Sequence, residues 1–95
     1  MTEEEYKLAL SQIIHLLNYY DVTGMAQFFA ALGVENEFDI EAKVILNKIA
    51  ECSTAEELVE MCNKVFNEYL NEETSFPLTF GESLLLLKQK YQWLQ

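Results

Sequence analysis

The chain has 95 residues and a formal net charge of −10, with 16 acidic residues against six lysines and no arginine. This length suits a single domain, and a hydrophobic fraction of 51% can fill a core, which excludes a disordered chain. Nucleic acid and anionic membrane surfaces are excluded as partners, because binding them requires clustered positive charge. A basic protein is the partner that complements this charge.

The N-terminal segment and the two cysteines favour a reducing compartment. The segment MTEEEYKLAL is acidic, unlike the positive start of a signal peptide. No apolar run reaches the roughly 20 residues that cross a bilayer. Cys52 and Cys62 are ten residues apart and form no CxxC motif, and Cys62 falls on the apolar face of a predicted helix. We therefore expect a cytoplasmic protein with a buried thiol at Cys62.

Two helices are predicted in the first third of the chain. The first begins at a capping box formed by Thr2 and Glu5 and runs to about Tyr20. Its core face has helical spacing and comprises Leu10, Ile13, Ile14, Leu17 and Tyr20. The second is short, VTGMAQFFAAL, and Gly33 ends it. It is apolar nearly all round, so it is expected to be buried on several sides or shared with a partner.

Two further helices are predicted across the middle of the chain. Asp39 is expected to cap IEAKVILNKIAEC, with Ile45, Leu46 and Ile49 facing inward. Ser53 or Thr54 caps the clearest element, which runs to Leu70, and either choice completes a capping box with a glutamate three residues later. Its apolar stripe comprises Leu58, Met61, Cys62, Val65, Phe66 and Tyr69. On the opposite, solvated face, a Glu60–Lys64 pair is expected.

The last predicted helix follows a break at NEETSFPLTFG, where Pro77 prevents a continuous helix. It runs from about Phe80 to Trp93, with Thr79 and Glu82 as its capping box. Four consecutive leucines, 84–87, cover most of its circumference. A short strand in SFPLTF is the minor alternative. The predicted fold is therefore all-α: a single compact bundle of about five helices over residues 1–95.

The sequence carries no recognisable catalytic, metal or cofactor motif. His15 is the only histidine, and none of its helical neighbours, Ser11, Gln12, Asn18 and Tyr19, orients it as a base. There is no HExxH, paired-cysteine or EF-hand pattern, and no glycine-rich phosphate loop. We therefore expect a protein that is not an enzyme and has no cofactor and no metal site.

Acidic residues beside aromatic rings are the candidate contacts for a partner. The densest charge lies in the link ENEFDIE, and a tyrosine pair ends the first helix. Aromatic side chains beside carboxylates resemble an interface hot spot against a basic protein. The predicted partner-binding residues are Glu35, Glu37, Asp39, Glu41, Tyr19, Tyr20 and Asp21.

The function predicted from these features is tight, stoichiometric inhibition of a basic protein. Its concrete form is an immunity protein that neutralises a bacterial toxin, with a nuclease as the leading class of target. One alternative is a helical adaptor or small homodimer with apolar contacts through Leu84–Leu87, Phe28, Phe29 and Trp93. A DNA mimic, whose carboxylates imitate phosphates, is the other. The chain itself is expected to be a monomer or a small homodimer.

Overall fold

The computed structural model describes residues 2–20, 38–71 and 73–91. These ranges contain no strand and four α-helices: α1 (Glu3–Tyr20), α2 (Asp39–Lys48), α3 (Ala55–Leu70) and α4 (Leu78–Tyr91). A 3-10 turn, Ile49–Glu51, follows α2. The all-α class is confirmed, with four helices rather than about five in the described ranges. The second predicted helix, 22–32, lies outside them.

Two capping boxes start the longest helices, as predicted. The Thr2 N–H donates to Glu5 Oε1 at 3.0 Å, and the Glu5 N–H donates to Thr2 Oγ1 at 3.1 Å. At α3 the cap is Thr54, whose Oγ1 accepts from the Glu57 N–H at 3.2 Å. Glu57 Oε1 accepts in return from the N–H groups of Thr54 and Ser53, at 3.2 and 3.0 Å. The structure thus selects Thr54 over Ser53 as the cap of α3.

Two other predicted caps are wrong. Asp39 is the first residue inside α2, and the N-cap is Phe38, which makes no side-chain cap hydrogen bond. Helix α4 begins at Leu78, two residues before the predicted start, so Thr79 lies within the helix and cannot form a capping box with Glu82. The Thr79 carbonyl instead accepts from the Ser83 hydroxyl at 3.0 Å.

The four helices pack in a closed ring, in which each contacts the next along the chain and α4 returns to α1. Helices α1 and α4 are antiparallel. Tyr20, at the end of α1, packs edge-on against Phe80, near the start of α4, with ring centroids 5.4 Å apart. Gln12, earlier in α1, lines a groove with Lys90, near the end of α4. This pairing leaves one side of the α1–α4 pair facing outward.

A chain of aromatic rings runs through the core. Phe38 contacts Phe66 at 5.4 Å between centroids, and Phe66 contacts Phe76 at 5.1 Å. Phe76 stacks on Phe80 at 4.3 Å, and Phe80 contacts Tyr20. Because these rings come from α1, α3, α4 and the segments before α2 and α4, they hold the helices together through large buried surfaces. Phe76 and Phe80 are both buried, so they anchor the link between α3 and α4 to the core.

The link between α3 and α4 is held by one asparagine. Asn63 Oδ1 accepts from the Thr74 hydroxyl and from the Phe76 N–H, both at 3.1 Å. Asn71 ends α3 in the left-handed conformation, at φ 54° and ψ 37°. Residues 73–77 then run without regular structure to the start of α4, so the strand alternative is not adopted.

The predicted stripe on α3 is largely confirmed, because Leu58, Cys62, Val65 and Phe66 are buried. Tyr69 is the exception: its side chain is 52% exposed. The opposite face of α3 is exposed, as its helical spacing requires. It comprises Glu57, Glu60, Lys64, Asn67 and Glu68. The expected pair between Glu60 and Lys64 is not among the ion pairs of the described residues.

Candidate protein-binding surfaces

The structure places only some of the predicted partner-binding residues. Asp21, Glu35 and Glu37 lie outside the described residues. The other four come from two places in the fold. Tyr19 and Tyr20 end α1, and Asp39 and Glu41 occupy the first turn of α2.

The two carboxylates on α2 are not equivalent. Asp39 forms an ion pair with Lys43, 3.0 Å away and one turn along the helix. This carboxylate raises the pKa of the Lys43 ammonium above its ordinary value, mainly through their hydrogen bond. The Glu41 side chain is only 4% exposed, and its Oε2 has no hydrogen-bond partner within the described residues. Of the predicted set, Glu41 is therefore poorly placed to meet a partner.

The tyrosine pair connects the core to the surface. Tyr20 is half-buried against Phe80, whereas the Tyr19 side chain is 74% exposed. The two rings meet edge-on with centroids 5.1 Å apart. Tyr20 thus packs on the core and Tyr19 packs on Tyr20, so that Tyr19 presents an exposed aromatic ring of the kind enriched at interface hot spots.

A second surface, not predicted as a site, lies beside α3 where the chain turns from α2. We call it the acidic groove, and its volume is about 320 Å³. Its floor contains Cys52, Met61 and Val65. Its polar lining consists of four glutamates and two lysines: Glu51, Glu57, Glu60, Glu68, Lys48 and Lys64. The groove therefore combines an excess of negative charge with an apolar floor.

The thiol in the acidic groove is neutral at physiological pH. Burial raises the pKa of the Cys52 thiol, and the nearby Glu57 carboxylate raises it further. The positive charge of Lys88 acts in the opposite direction and lowers this pKa, because it favours the thiolate. The Lys88 ammonium also donates to the backbone carbonyl of Cys52. Lys88 is buried although it is charged, and its hydrogen bond joins α4 to the segment that precedes α3. A hydrogen bond thus joins α4 to Cys52, one of the residues that line the acidic groove.

A third surface, the apolar groove, separates α1 from α4 and has a volume of about 340 Å³. Leu16, Leu86 and Leu87 supply its apolar lining. The polar residues that line it are Gln12, His15, Ser83 and Lys90. Of these polar residues, His15 and Lys90 are exposed. No carboxylate from residues 2–20, 38–71 or 73–91 lines this groove, in contrast to the surface beside α3.

Sequence spacing contained a signal for the acidic groove that the search for dense charge missed. Glu57, Glu60, Lys64 and Glu68 recur at three- and four-residue steps and so share one helical face. Glu51 also lines this groove, but it belongs to the 3-10 turn between α2 and α3. Its position therefore depends on how that turn folds. Acidic residues that are spaced along a helix, with one more from a neighbouring turn, are harder to recognise in a sequence than a continuous acidic run such as ENEFDIE.

Metal and membrane features are not found in the described ranges. Among residues 2–20, 38–71 and 73–91, no group of three or more histidine, cysteine, aspartate or glutamate side chains is arranged to hold a metal ion. No helix in these ranges has both the length and the apolar character that crossing a bilayer requires. Cys52 and Cys62 are both buried, and neither is in a disulfide.

No protein-family model matches this chain, and no curated protein or solved structure matches it. The function is therefore inferred from the tyrosine pair, the acidic groove and the apolar groove.

Proposed function

We propose that this chain is a stoichiometric inhibitor that binds a basic protein, and that it acts as an immunity protein against a bacterial toxin. A nuclease is the class of toxin that fits best. An enzyme that binds nucleic acid places Lys and Arg around its active site to contact phosphates. An acidic inhibitor is steered towards such a surface and can form strong charge pairs with it.

The observation that carries this proposal is the acidic groove. Glu51, Glu60 and Glu68 are exposed around a partly apolar floor that includes Met61 and Val65. A concave surface with an excess of negative charge, here four glutamates against two lysines, concentrates its electric field and attracts a long basic side chain. Such a side chain can lay its methylene stem on the floor while its charged end reaches the glutamates at the rim.

The aromatic and acidic residues selected from the sequence belong to the same proposal. Tyr19 offers the exposed ring that anchors an interface, and Asp39 has a partly exposed carboxylate. Asp21, Glu35 and Glu37 remain predicted contacts. The acidic groove adds glutamates from α3 to this set.

The proposal is tested by affinity capture from the source cells at low and high salt, with the captured protein then purified and assayed. If the gene is bacterial, the adjacent reading frame is the first candidate, because a toxin and its immunity protein must be inherited together. We expect one basic protein, bound at a 1:1 ratio and released as salt rises, because salt screens charge pairs. Its nuclease activity should disappear when one equivalent of this chain is added.

Paired variants make the test specific to the acidic groove. Replacing Glu60 and Glu68 by Gln should weaken binding by about 100-fold, since each close charge pair lost costs about 1.5 kcal/mol or more. Replacing Glu4 and Glu73 by Gln removes the same net charge from exposed positions outside the groove and should have a much smaller effect. Equal effects from the two pairs would mean that net charge alone drives binding. A partner retained equally at all salt concentrations would contradict the proposal.

The alternative of an adaptor or homodimer with apolar contacts is favoured by one observation. Of the four leucines 84–87, Leu86 is 67% exposed, although Leu84 and Leu87 are buried. An exposed leucine beside the apolar groove suits a protein contact on that face.

A further inference from the structure

The exposed side of α4 carries a short, ordered pattern of charge around a leucine. Glu82, Leu86 and Lys90 are spaced four residues apart, and all three are exposed. Residues at this spacing form one row along a helix, and such rows are the ridges through which helices pack. We call this row the α4 stripe. It borders the apolar groove, to which Leu86 and Lys90 both contribute.

The charges of the α4 stripe are not matched within the described structure. The ion pairs of the described residues are Glu3–Lys7 and Asp39–Lys43, so neither Glu82 nor Lys90 takes part in one. The Lys90 ammonium lies 5.4 Å from the centroid of the Tyr91 ring, a contact that leaves its charge available to a carboxylate.

The stripe is complementary to itself when reversed. Glu82 lies four residues before Leu86 and Lys90 lies four residues after it. If two copies of α4 pack antiparallel with Leu86 at the crossing point, Glu82 of each copy faces Lys90 of the other. A two-fold interface requires this property, because a residue that contacts a second residue across it must also be contacted by it.

The apolar groove is also a face on which two acidic chains can meet. Each copy carries a net charge of −10, so most approaches of two copies bring carboxylates together. Among the described residues, the groove is lined by Leu16, Leu86 and Leu87 and by no carboxylate, and it contains His15 and Lys90. Two copies that meet at this groove therefore repel each other less than two copies that meet at their acidic grooves.

From these observations we propose that a second copy of this chain docks on the apolar groove and the α4 stripe. The product is a two-fold dimer in which α1 and α4 of both copies form a four-helix interface. Leu86 of each copy packs at the centre, and two Glu82–Lys90 pairs flank it. This interface goes beyond the proposed inhibitor function and uses a different surface from the acidic groove.

The first test is the oligomeric state of the full chain, measured by sedimentation across a concentration series. We expect a monomer–dimer equilibrium. Leu86→Glu should raise the dimer dissociation constant at least about tenfold, because it brings two carboxylates together at the centre. Ile40→Glu is the matched control: Ile40 is also a large exposed apolar residue, 62% exposed, but lies on α2. It should leave the dissociation constant unchanged.

A charge exchange tests the antiparallel register. Glu82→Lys alone gives copies whose two lysines face each other, and Lys90→Glu alone gives copies whose two glutamates face each other, so each variant should dimerise more weakly than the parent chain. Mixing the two variants restores both pairs in one mixed dimer, which should form in preference to either homodimer. Both positions are exposed, and unchanged circular dichroism will show that each variant folds.

Three results would overturn the proposed dimer. The first is sedimentation of the chain as a monomer at every concentration. The second is an effect of Leu86→Glu on the dissociation constant that is no larger than the effect of Ile40→Glu. The third is a mixture of the two charge variants that shows no preference for the mixed dimer. If the parent chain is monomeric but binds a basic protein, the dimer interface is refuted and the inhibitor function is not. If the parent chain dimerises but binds no basic protein, the inhibitor function is refuted and the dimer interface is not.

Discussion

Gly81 of α4 lies against the backbone carbonyl of Ala55 of α3, with no room for a side chain between them. A Cβ placed on Gly81 would also come within 2.8 Å of Val59 Cγ2. The two helices therefore approach closely at this point because residue 81 has no side chain. Ala55 begins α3 and Gly81 lies in the first turn of α4, so this contact fixes how the two helices start together.

Gly81→Ala should destabilise the fold despite the higher helix propensity of alanine. The added methyl group meets backbone atoms of Ala55, which cannot rotate away, and overpacking of this kind costs about 1–3 kcal/mol. Urea unfolding followed by circular dichroism measures the change. Ser83→Ala, a substitution on the same helix that adds no atoms, should change the free energy of unfolding by about 0.5 kcal/mol or less. A Gly81→Ala variant as stable as the parent would disprove the close contact.

Asn63→Ala should loosen the link between α3 and α4. It removes the oxygen that accepts from both the Thr74 hydroxyl and the Phe76 N–H, and leaving part-buried donors without a partner costs about 1–3 kcal/mol. Hydrogen exchange at the Phe76 amide should also become faster. Asn67→Ala, at an exposed position one turn along α3, is the control and should have little effect on either measurement. Unaltered exchange at Phe76 would show that packing alone holds the link.

The cap of α3 can be tested by comparing two adjacent hydroxyl residues. Thr54→Ala should lower the free energy of unfolding by about 1 kcal/mol, because its Oγ1 accepts from the Glu57 N–H in the first turn. Ser53→Ala should lower it by less, since Ser53 contributes a backbone N–H to this cap and that group is retained. If Ser53→Ala proved the more damaging of the two in chemical denaturation, the cap would have been assigned to the wrong residue.

Stability should fall in alkaline solution partly because of Cys62. Burial raises the pKa of this thiol far above its ordinary value. Above the unfolded pKa of about 8.5, the unfolded chain loses the proton while the folded chain keeps it, so raising the pH favours unfolding. The thiol's contribution is complete below that pH and is lost above it, with a slope of up to about 1.4 kcal/mol per pH unit.

The measurement for Cys62 is the free energy of unfolding from pH 7 to pH 10, a range set around the ordinary thiol pKa of about 8.5. Cys62→Ala should show a shallower decline than the parent chain, whatever its stability at pH 7. Cys52 has a pKa raised in the same direction, so its substitution should act with the same sign. Parallel declines for the parent and Cys62→Ala would show that the thiol is not protected by the fold.

Local features were the part of this fold that could be predicted. The boxes at Thr2–Glu5 and Thr54–Glu57 each join residues three positions apart, so the sequence alone contains both partners. Thr79 and Glu82 have the same spacing but form no capping box, because the helix begins at Leu78. A residue inside a helix cannot act as its cap.

The candidate surfaces could be predicted only in part. The exposed face of α3 follows from periodicity, but the acidic groove also needs Glu51 from the preceding turn. Within ENEFDIE, spacing did not separate Asp39, which is paired with Lys43, from the buried Glu41. Charge density in a sequence does not say which carboxylates will face solvent.

The sequence by itself determined the helical class, two of the helix caps and the side of α3 that is buried, because each depends on residues within one or two turns of each other. Only the tertiary structure decided that Leu86 is exposed while Leu84 and Leu87 are buried, that Lys88 reaches the carbonyl of Cys52, and that Gly81 lies against α3. These outcomes depend on segments far apart in the chain. The physical reason is that burial and close contact are properties of two packed surfaces, and a single helix specifies only one of them.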